Sequence, residues 1–199
     1  VIYLATPSSD LIKLKIQDRT IGQLVTPNSG NKLVEGAIWG LDNGCYSANW
    51  SQEKWLRTLE RYTGEQDCRF AVVPDVVGDS VATDLLWDEW ASIVKQLGFA
   101  AAYVTQNGCE EIPLNADALF TGGDDAWKLG TKAQELVLEA KRRGIWCHMG
   151  RVNSRKRVRY ATSCGYDSVD GTYLAFAPNQ NLPKLLSWMR EATTQGVLI

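Results

Sequence analysis

Histidine is nearly absent: His148 is the only one in 199 residues. One imidazole poorly serves a multi-histidine zinc site. It also gives a Ser-His-Asp triad only one possible base. The cysteines are few and unpaired by pattern. Cys45, Cys68, Cys109, Cys147 and Cys164 are odd in number, and no two form a C-x-x-C pair. The expectation is therefore no disulfide framework, no metal and a reducing cytoplasm. No run of 18 apolar residues occurs, so no membrane span is expected. The opening Val1–Pro7 is too short for a signal peptide and lacks its basic flank. It reads as a buried strand, and a start on Val reads as trimming. Neither G-x-G-x-x-G nor G-x-x-x-x-G-K-[ST] is present, so no nucleotide cofactor is expected.

What is present is ordinary globular material. Hydrophobic residues make up 45% and charged residues 22%, enough apolar mass for one domain over residues 1–199. The net charge of −2 does not announce a nucleic-acid binder. The distribution is more informative. Lys141, Arg142, Arg143, Arg151, Arg155, Lys156, Arg157 and Arg159 lie close together in sequence. Such a patch can track phosphates. From charge alone, a solvated helix face is an equal reading.

Short apolar runs alternate with helical patterns from end to end. The runs are Ile2–Thr6, Gly22–Thr26, Ala37–Leu41, Phe70–Pro74, Ala101–Thr105, Ala118–Thr121, Ile145–Met149 and Ser168–Asp170. Most are continuous rather than alternating, as strands covered on both faces should be. Helices are predicted over Ser9–Asp18, Ser51–Tyr62, Ser80–Leu97, Ala133–Arg143, Ser154–Ser163 and Leu182–Ala192. The core face of the third is read as Leu85, Leu86, Trp90, Ile93, Val94 and Leu97. Pro27–Gly36 reads as a loop. Eight strand–helix units predict an α/β fold, a compact single-domain (β/α)8 TIM-type barrel. An open doubly wound sheet is the alternative.

In such a barrel, chemistry sits where strands end. Those ends read Thr6-Pro7, Thr26-Pro27-Asn28, Asp42-Asn43-Gly44, Asp75, Gln106-Asn107, Gly122-Gly123, His148-Met149-Gly150-Arg151 and Asp170-Gly171. Any one Asp before Gly can be a turn residue. Three carboxylates at equivalent ends are harder to dismiss. Paired carboxylates suit glycosidic chemistry: one meets growing positive charge on the sugar carbon, the other handles the leaving group's proton. Gly122 and Gly123 offer backbone N–H groups, and Gln106 offers both a donor and an acceptor, for the edge of a planar heterocycle. Met149 is read as packing on the ring face, with core packing as the equal alternative.

These motifs resemble the tRNA-guanine transglycosylases and, more closely, their phage and bacterial deazapurine DNA-modification relatives. Leu41-Asp42-Asn43-Gly44-Cys45-Tyr46 is similar to that family's Asp-Ser-Gly-Gly-Phe segment. Val72-Val73-Pro74-Asp75 resembles its strand ending in a base-contacting Asp. Val104-Thr105-Gln106-Asn107-Gly108, Phe120-Thr121-Gly122-Gly123 and Cys147-His148-Met149-Gly150 resemble its Gln-Gln-Gly, Val-Gly-Gly and Leu-Met-Gly. Gly165-Tyr166-Asp167-Ser168-Val169-Asp170 resembles its Gly-x-Asp-x-x-Asp. The order is kept from Leu41 to Asp170. The resemblance implies a nucleophile at Asp170 and a base-side acid or base at Asp75. It also implies base binding by Asp42, Asn43, Gln106, Gly122, Gly123, His148 and Met149. The tRNA enzymes carry a zinc site of three Cys and one His after the nucleophile strand. No Cys or His follows Asp170 here, so the zinc subdomain is expected to be missing.

The resulting expectation is a glycosylase that cleaves the N-glycosidic bond of a base in DNA, a modified one by preference, in anti-phage defence. Arg151, Arg155, Lys156 and Arg157 would hold phosphates while a flipped or single-stranded base enters the barrel mouth. Exchange for an incoming 7-deazaguanine is the first alternative. A small nucleoside or sugar glycosidase and a non-catalytic nucleic-acid-binding barrel are the others. No membrane partner is expected, and the sequence leaves the oligomeric state open.

Overall fold

The computed structural model describes residues 1–196, with side chains to residue 194; the end of the expected 1–199 domain lies outside the described residues. Eight parallel strands close into a barrel in sequence order: β1 (Ile2–Ala5), β2 (Gly22–Val25), β3 (Trp39–Leu41), β4 (Cys68–Val72), β5 (Ala101–Thr105), β6 (Ala118–Thr121), β7 (Trp146–Met149) and β8 (Ser168–Asp170), with β8 pairing back to β1. The helices are α1 (Asp10–Gln17), α2 (Gln52–Tyr62), α3 (Ser80–Gln96), α4 (Asp125–Lys128), α5 (Thr131–Arg142), α6 (Arg155–Ser163) and α7 (Pro178–Gly196). The closed barrel removes the open-sheet alternative.

Polar side chains start most of the helices. Ser9, Ser51, Asp79, Asp124 and Ser154 each accept a hydrogen bond from a first-turn N–H. A cap of this kind contributes about 1 kcal/mol. Each follows a rim loop, so the caps also fix where those loops end. The β2–β3 connection carries no helix, as its loop-like residues imply, and neither does the β5–β6 connection.

Alternation along the strands divides the core in two. Outward-facing residues such as Tyr3, Trp39, Leu41, Ala71, Tyr103 and Met149 pack under the helices. Inward-facing Leu4, Leu24, Phe70, Val72, Ala102, Val104 and Ala118 fill the barrel, joined by Ile2, Phe120 and Trp146. Phe70 takes the centre because its neighbour gives way. A Cβ on Gly40 would stand 2.5 Å from the Phe70 ring, so β3 needs glycine there. The ring packs against Phe120 and His148 at centroid distances of 6.3 and 4.9 Å.

The buried face of α3 differs from the sequence reading. It runs through Thr83, Trp87, Trp90, Ala91 and Val94, while Leu85 is exposed. The helix presents its aromatic side to the barrel: Trp87 packs edge-on against Tyr103, and Trp90 against Trp55 of α2. No described helix is long and apolar enough to cross a membrane.

Candidate active site

The inward positions at the C-terminal strand ends are Asp42 after β3, Gln106 after β5, Gly122 after β6 and Asp170 closing β8. With Asp75, Asn43, Tyr46, Arg151 and Thr172 they line one cavity of about 250 Å³ whose floor is Val72, Val104 and Phe120. That is just below the usual size of ligand pockets, about 300–1,000 Å³, while the combination of apolar floor and convergent polar wall is typical of them.

Asp75 is braced on both oxygens. Asn43 Nδ2 donates to Oδ1 at 2.7 Å, and Gln106 Nε2 donates to Oδ2 at 2.5 Å. The amide orientations are forced from behind. Asn43 Oδ1 accepts the Cys45 N–H at 2.7 Å, and Gln106 Oε1 accepts the Gly78 N–H at 2.9 Å, so each amide must present its nitrogen to the carboxyl. A Cβ on Gly122 would fall 2.7 Å from Gln106 Nε2, which explains a glycine at that strand end. Burial raises the Asp75 pKa above the usual carboxylate range; the two amides oppose this without cancelling it.

Asp42 is perturbed further. Burial, then the charges of Asp170 and Asp75, push its pKa up to about 7, against a pull downward from the Gly44 N–H. Near neutral pH its protonated form is therefore far more populated than that of an ordinary aspartate. The Cys45 thiol beside the cluster is pushed up to about 12 by burial, which keeps it protonated and a poor nucleophile.

Asp170 faces the cavity with its side chain 17% exposed. Its Oδ1 is tied twice, by the Arg151 N–H at 3.0 Å and by His148 Nε2 at 3.2 Å. The loop after β7 is clamped to the end of β8, with Val152 N donating to the Asp170 carbonyl at 2.5 Å. Gly171 permits that approach, since a Cβ there would meet the Val152 carbonyl at 2.8 Å. Arg151 adopts a left-handed φ of 63°, costly for a residue with a side chain. Several contacts fix it there. Its guanidinium reaches the Gly123 carbonyl and lies 4.6 Å from the centre of the Tyr46 ring, and its own carbonyl accepts Arg157 Nη1.

Several expected site residues are placed differently. Met149 is 0% exposed and packs outward under the helices, because it alternates with inward-facing His148; it cannot lie on a ligand ring. His148 lies inside the barrel below Asp170 and does not line the cavity. The Gly122 N–H already donates to the Thr105 carbonyl at 3.1 Å, so it is not free to read a base; Gly123 donates to no protein group among the described residues. Arg157 is committed to Asp125 and the Arg151 carbonyl. Arg155 pairs with Glu191 of α7 at 2.6 Å, leaving Lys156 exposed at the start of α6. The basic patch divides. Lys141 and Arg143 sit at the other end of the barrel, bound to Asp167 and to the carbonyls of Ile112, Pro113 and Leu114.

The residues not foreseen are Tyr46, Val77 and Thr172 on the wall and the apolar floor. The floor was legible from strand alternation, but the wall residues lie in loops. None of the eight Trp lines the cavity. Among the described residues no three His, Cys, Asp or Glu side chains are grouped to hold a metal ion.

No family model and no curated protein matches this chain. Solved structures do resemble it. A native KDPGal structure has a TM-score of 0.59 at 13% identity, over 100% of this chain and 94% of that one. The 3-hexulose-6-phosphate synthase of Salmonella typhimurium has a TM-score of 0.54 at 13% identity, over 96% and 99%. The Amycolatopsis orientalis BexX/CysO complex has a TM-score of 0.53 at 13% identity, over 98% and 89%. At this identity the likeness shows the barrel fold alone.

Proposed function

We propose that the chain is an N-glycosidic-bond-cleaving enzyme acting on a base in DNA. The observation that carries the reading is the placement of Asp75 and Asp170. Asp75 follows β4 by three residues and Asp170 ends β8; these strands stand opposite each other in the ring of eight, and both carboxyls line one cavity. An apolar floor with a braced carboxyl on one side and a cavity-facing carboxylate on the other suits a planar base joined to a sugar. The resemblance of the strand-end motifs to the deazapurine DNA-modification enzymes points the same way.

In this reading Asp170 attacks the sugar C1′ as the bond from C1′ to the base nitrogen breaks. The bond's electron pair leaves with the base, which takes a proton from the Asp75 side. The raised proton affinity of Asp75 and Asp42 fits them to supply it. Water then displaces Asp170 from C1′, gives a proton back to the acid, and leaves an abasic site. Arg151 at the mouth and Lys156 nearby supply positive charge for the strand.

The test incubates the protein with oligonucleotides carrying plain or 7-deazapurine bases. Release of free base, with alkali-labile sites in the strand, is the expected result, and Asp170→Asn and Asp75→Asn should abolish it. An intact strand carrying a swapped base would replace excision by exchange. Cleavage of free nucleosides with no action on any oligonucleotide would overturn the DNA reading. The cavity walls disfavour a free-sugar enzyme, since no Trp platform is present there.

A further inference from the structure

The only histidine sits in a hydrogen-bonded line that ends on Asp170. Trp146 Nε1 lies 2.9 Å from Ser168 Oγ, Ser168 Oγ lies 2.8 Å from His148 Nδ1, and His148 Nε2 lies 3.2 Å from Asp170 Oδ1. We infer that His148 is a positioning residue, locked as the neutral Nε2–H tautomer, that holds Asp170 Oδ1 so that Oδ2 is the oxygen offered to the cavity. The role given to Oδ2 rests on the functional reading above; the tautomer does not.

The direction of the line follows from donor counting. An indole N–H can only donate, so Ser168 Oγ accepts from Trp146. The serine hydroxyl proton then needs an acceptor in the closed barrel, and His148 Nδ1 is the one within reach. With Nδ1 accepting, the ring's proton is on Nε2, aimed at the carboxylate. The opposite tautomer would strand the serine proton and set a nitrogen lone pair against Asp170 Oδ1. Both groups would be buried and unsatisfied. The ring cannot turn to escape, because it is fully buried between Phe70 and Phe120 with centroids 4.9 and 4.8 Å away. Together with the Arg151 N–H, this supplies Oδ1 with two donors, while Oδ2 has no hydrogen-bond partner among the described residues.

A single histidine makes the test direct. In protein labelled with ¹⁵N-imidazole, long-range ¹H–¹⁵N correlation at pH 7.5 should show one ring, protonated at Nε2 and bare at Nδ1. Asp170→Asn should move the Nε2 signals, and Ser168→Ala should move Nδ1. A ring protonated at Nδ1, a tautomer mixture in the wild type, or a ring that ignores Asp170→Asn would overturn the inference. These readouts need no substrate, so failure of the DNA reading leaves them decisive. On an active substrate, His148→Phe should lower kcat about 10–100-fold, the size that partners orienting a reactive group carry elsewhere. KM should change little, and His148→Gln, which keeps a side-chain N–H, should recover part of the loss. A wild-type kcat in folded His148→Phe would sink the positioning role.

Discussion

Asn43 Nδ2 donates to Asp75 Oδ1 at 2.7 Å while its own Oδ1 accepts from Cys45 N at 2.7 Å. One buried side chain, 2% exposed, thus couples the backbone after β3 to the acid after β4. Replacing that amide by a carboxyl tests the coupling. In Asn43→Asp the Cys45 contact survives, but two carboxylates now face each other. As pH rises the pair is driven towards a doubly ionised state in which the two repel; as pH falls they can share a proton. Activity should therefore fall about tenfold or more at pH 8 and much less at pH 5.5. Equal loss at the two pH values would show that the amide does no electrostatic task.

Asp42 makes a stability prediction that needs no substrate. Its folded pKa, about 7, lies above the usual 3.8. The native state therefore binds this proton more tightly than the unfolded chain does. Stability contributed by this group falls as pH rises from about 4 to about 7, and the full deficit is present above that. Asp42→Asn keeps an oxygen for the Gly44 N–H (3.2 Å) and removes the charge. It should raise the melting temperature at pH 8 by several degrees, with roughly 2–4 °C expected per kcal/mol in a domain of this size. The gain should shrink towards zero near pH 4. A gain independent of pH would count against charge repulsion as its source.

The barrel was readable because most units repeat one signal, a continuous apolar run followed by a helix, usually a capped one. Ala101–Thr105, Ala118–Thr121 and Ser168–Asp170 match the observed strands end for end. Most other boundaries shifted by one or two residues where apolar loop residues flank a strand. Two helical features were not legible. The short α4 is one turn held by Asp124 and offers no periodicity. The start of α7 lies four residues before Leu182; Pro183 argues for a first turn beside it, whereas Gln180 and Asn181 already donate to the Ala177 carbonyl. At the site, strand ends named the three carboxylates, because position along a parallel strand decides which end a residue occupies. Facing is a matter of alternation, and Met149 failed on it: adjacent to His148, it had to point the other way. Charge spacing likewise could not show that Arg157 spends its charge on Asp125.

The packing below the cavity makes a second stability prediction. Gly40→Ala places a methyl 2.5 Å from Phe70 Cζ, and the ring can yield only towards Phe120 and His148. Overpacking of this kind costs about 1–3 kcal/mol. The melting temperature should drop by roughly 3–10 °C. The His148 ring signals should shift as well, because Phe70 is its neighbour. An unperturbed histidine spectrum would mean that the barrel absorbs the methyl elsewhere.

The charges around the mouth separate phosphate contacts from structural ones. Each phosphate neutralised by a side chain releases counterions, so the slope of log K against log salt reflects the number of contacts, with about 0.7–0.9 per contact. Lys156 is exposed on α6 and has no ion-pair partner among the described residues, while Arg157 faces Asp125 and holds the Arg151 carbonyl. Lys156→Gln should therefore weaken DNA binding and reduce the salt slope by about one, without changing the melting temperature. Arg157→Gln should do the reverse. The slope should hold while the protein loses stability, since the left-handed Arg151 loses one of its restraints. Binding measured at four salt concentrations decides the matter. If both variants leave the slope unchanged, the start of α6 makes no contact with the strand, and Arg151 alone would have to carry the positive charge at the mouth.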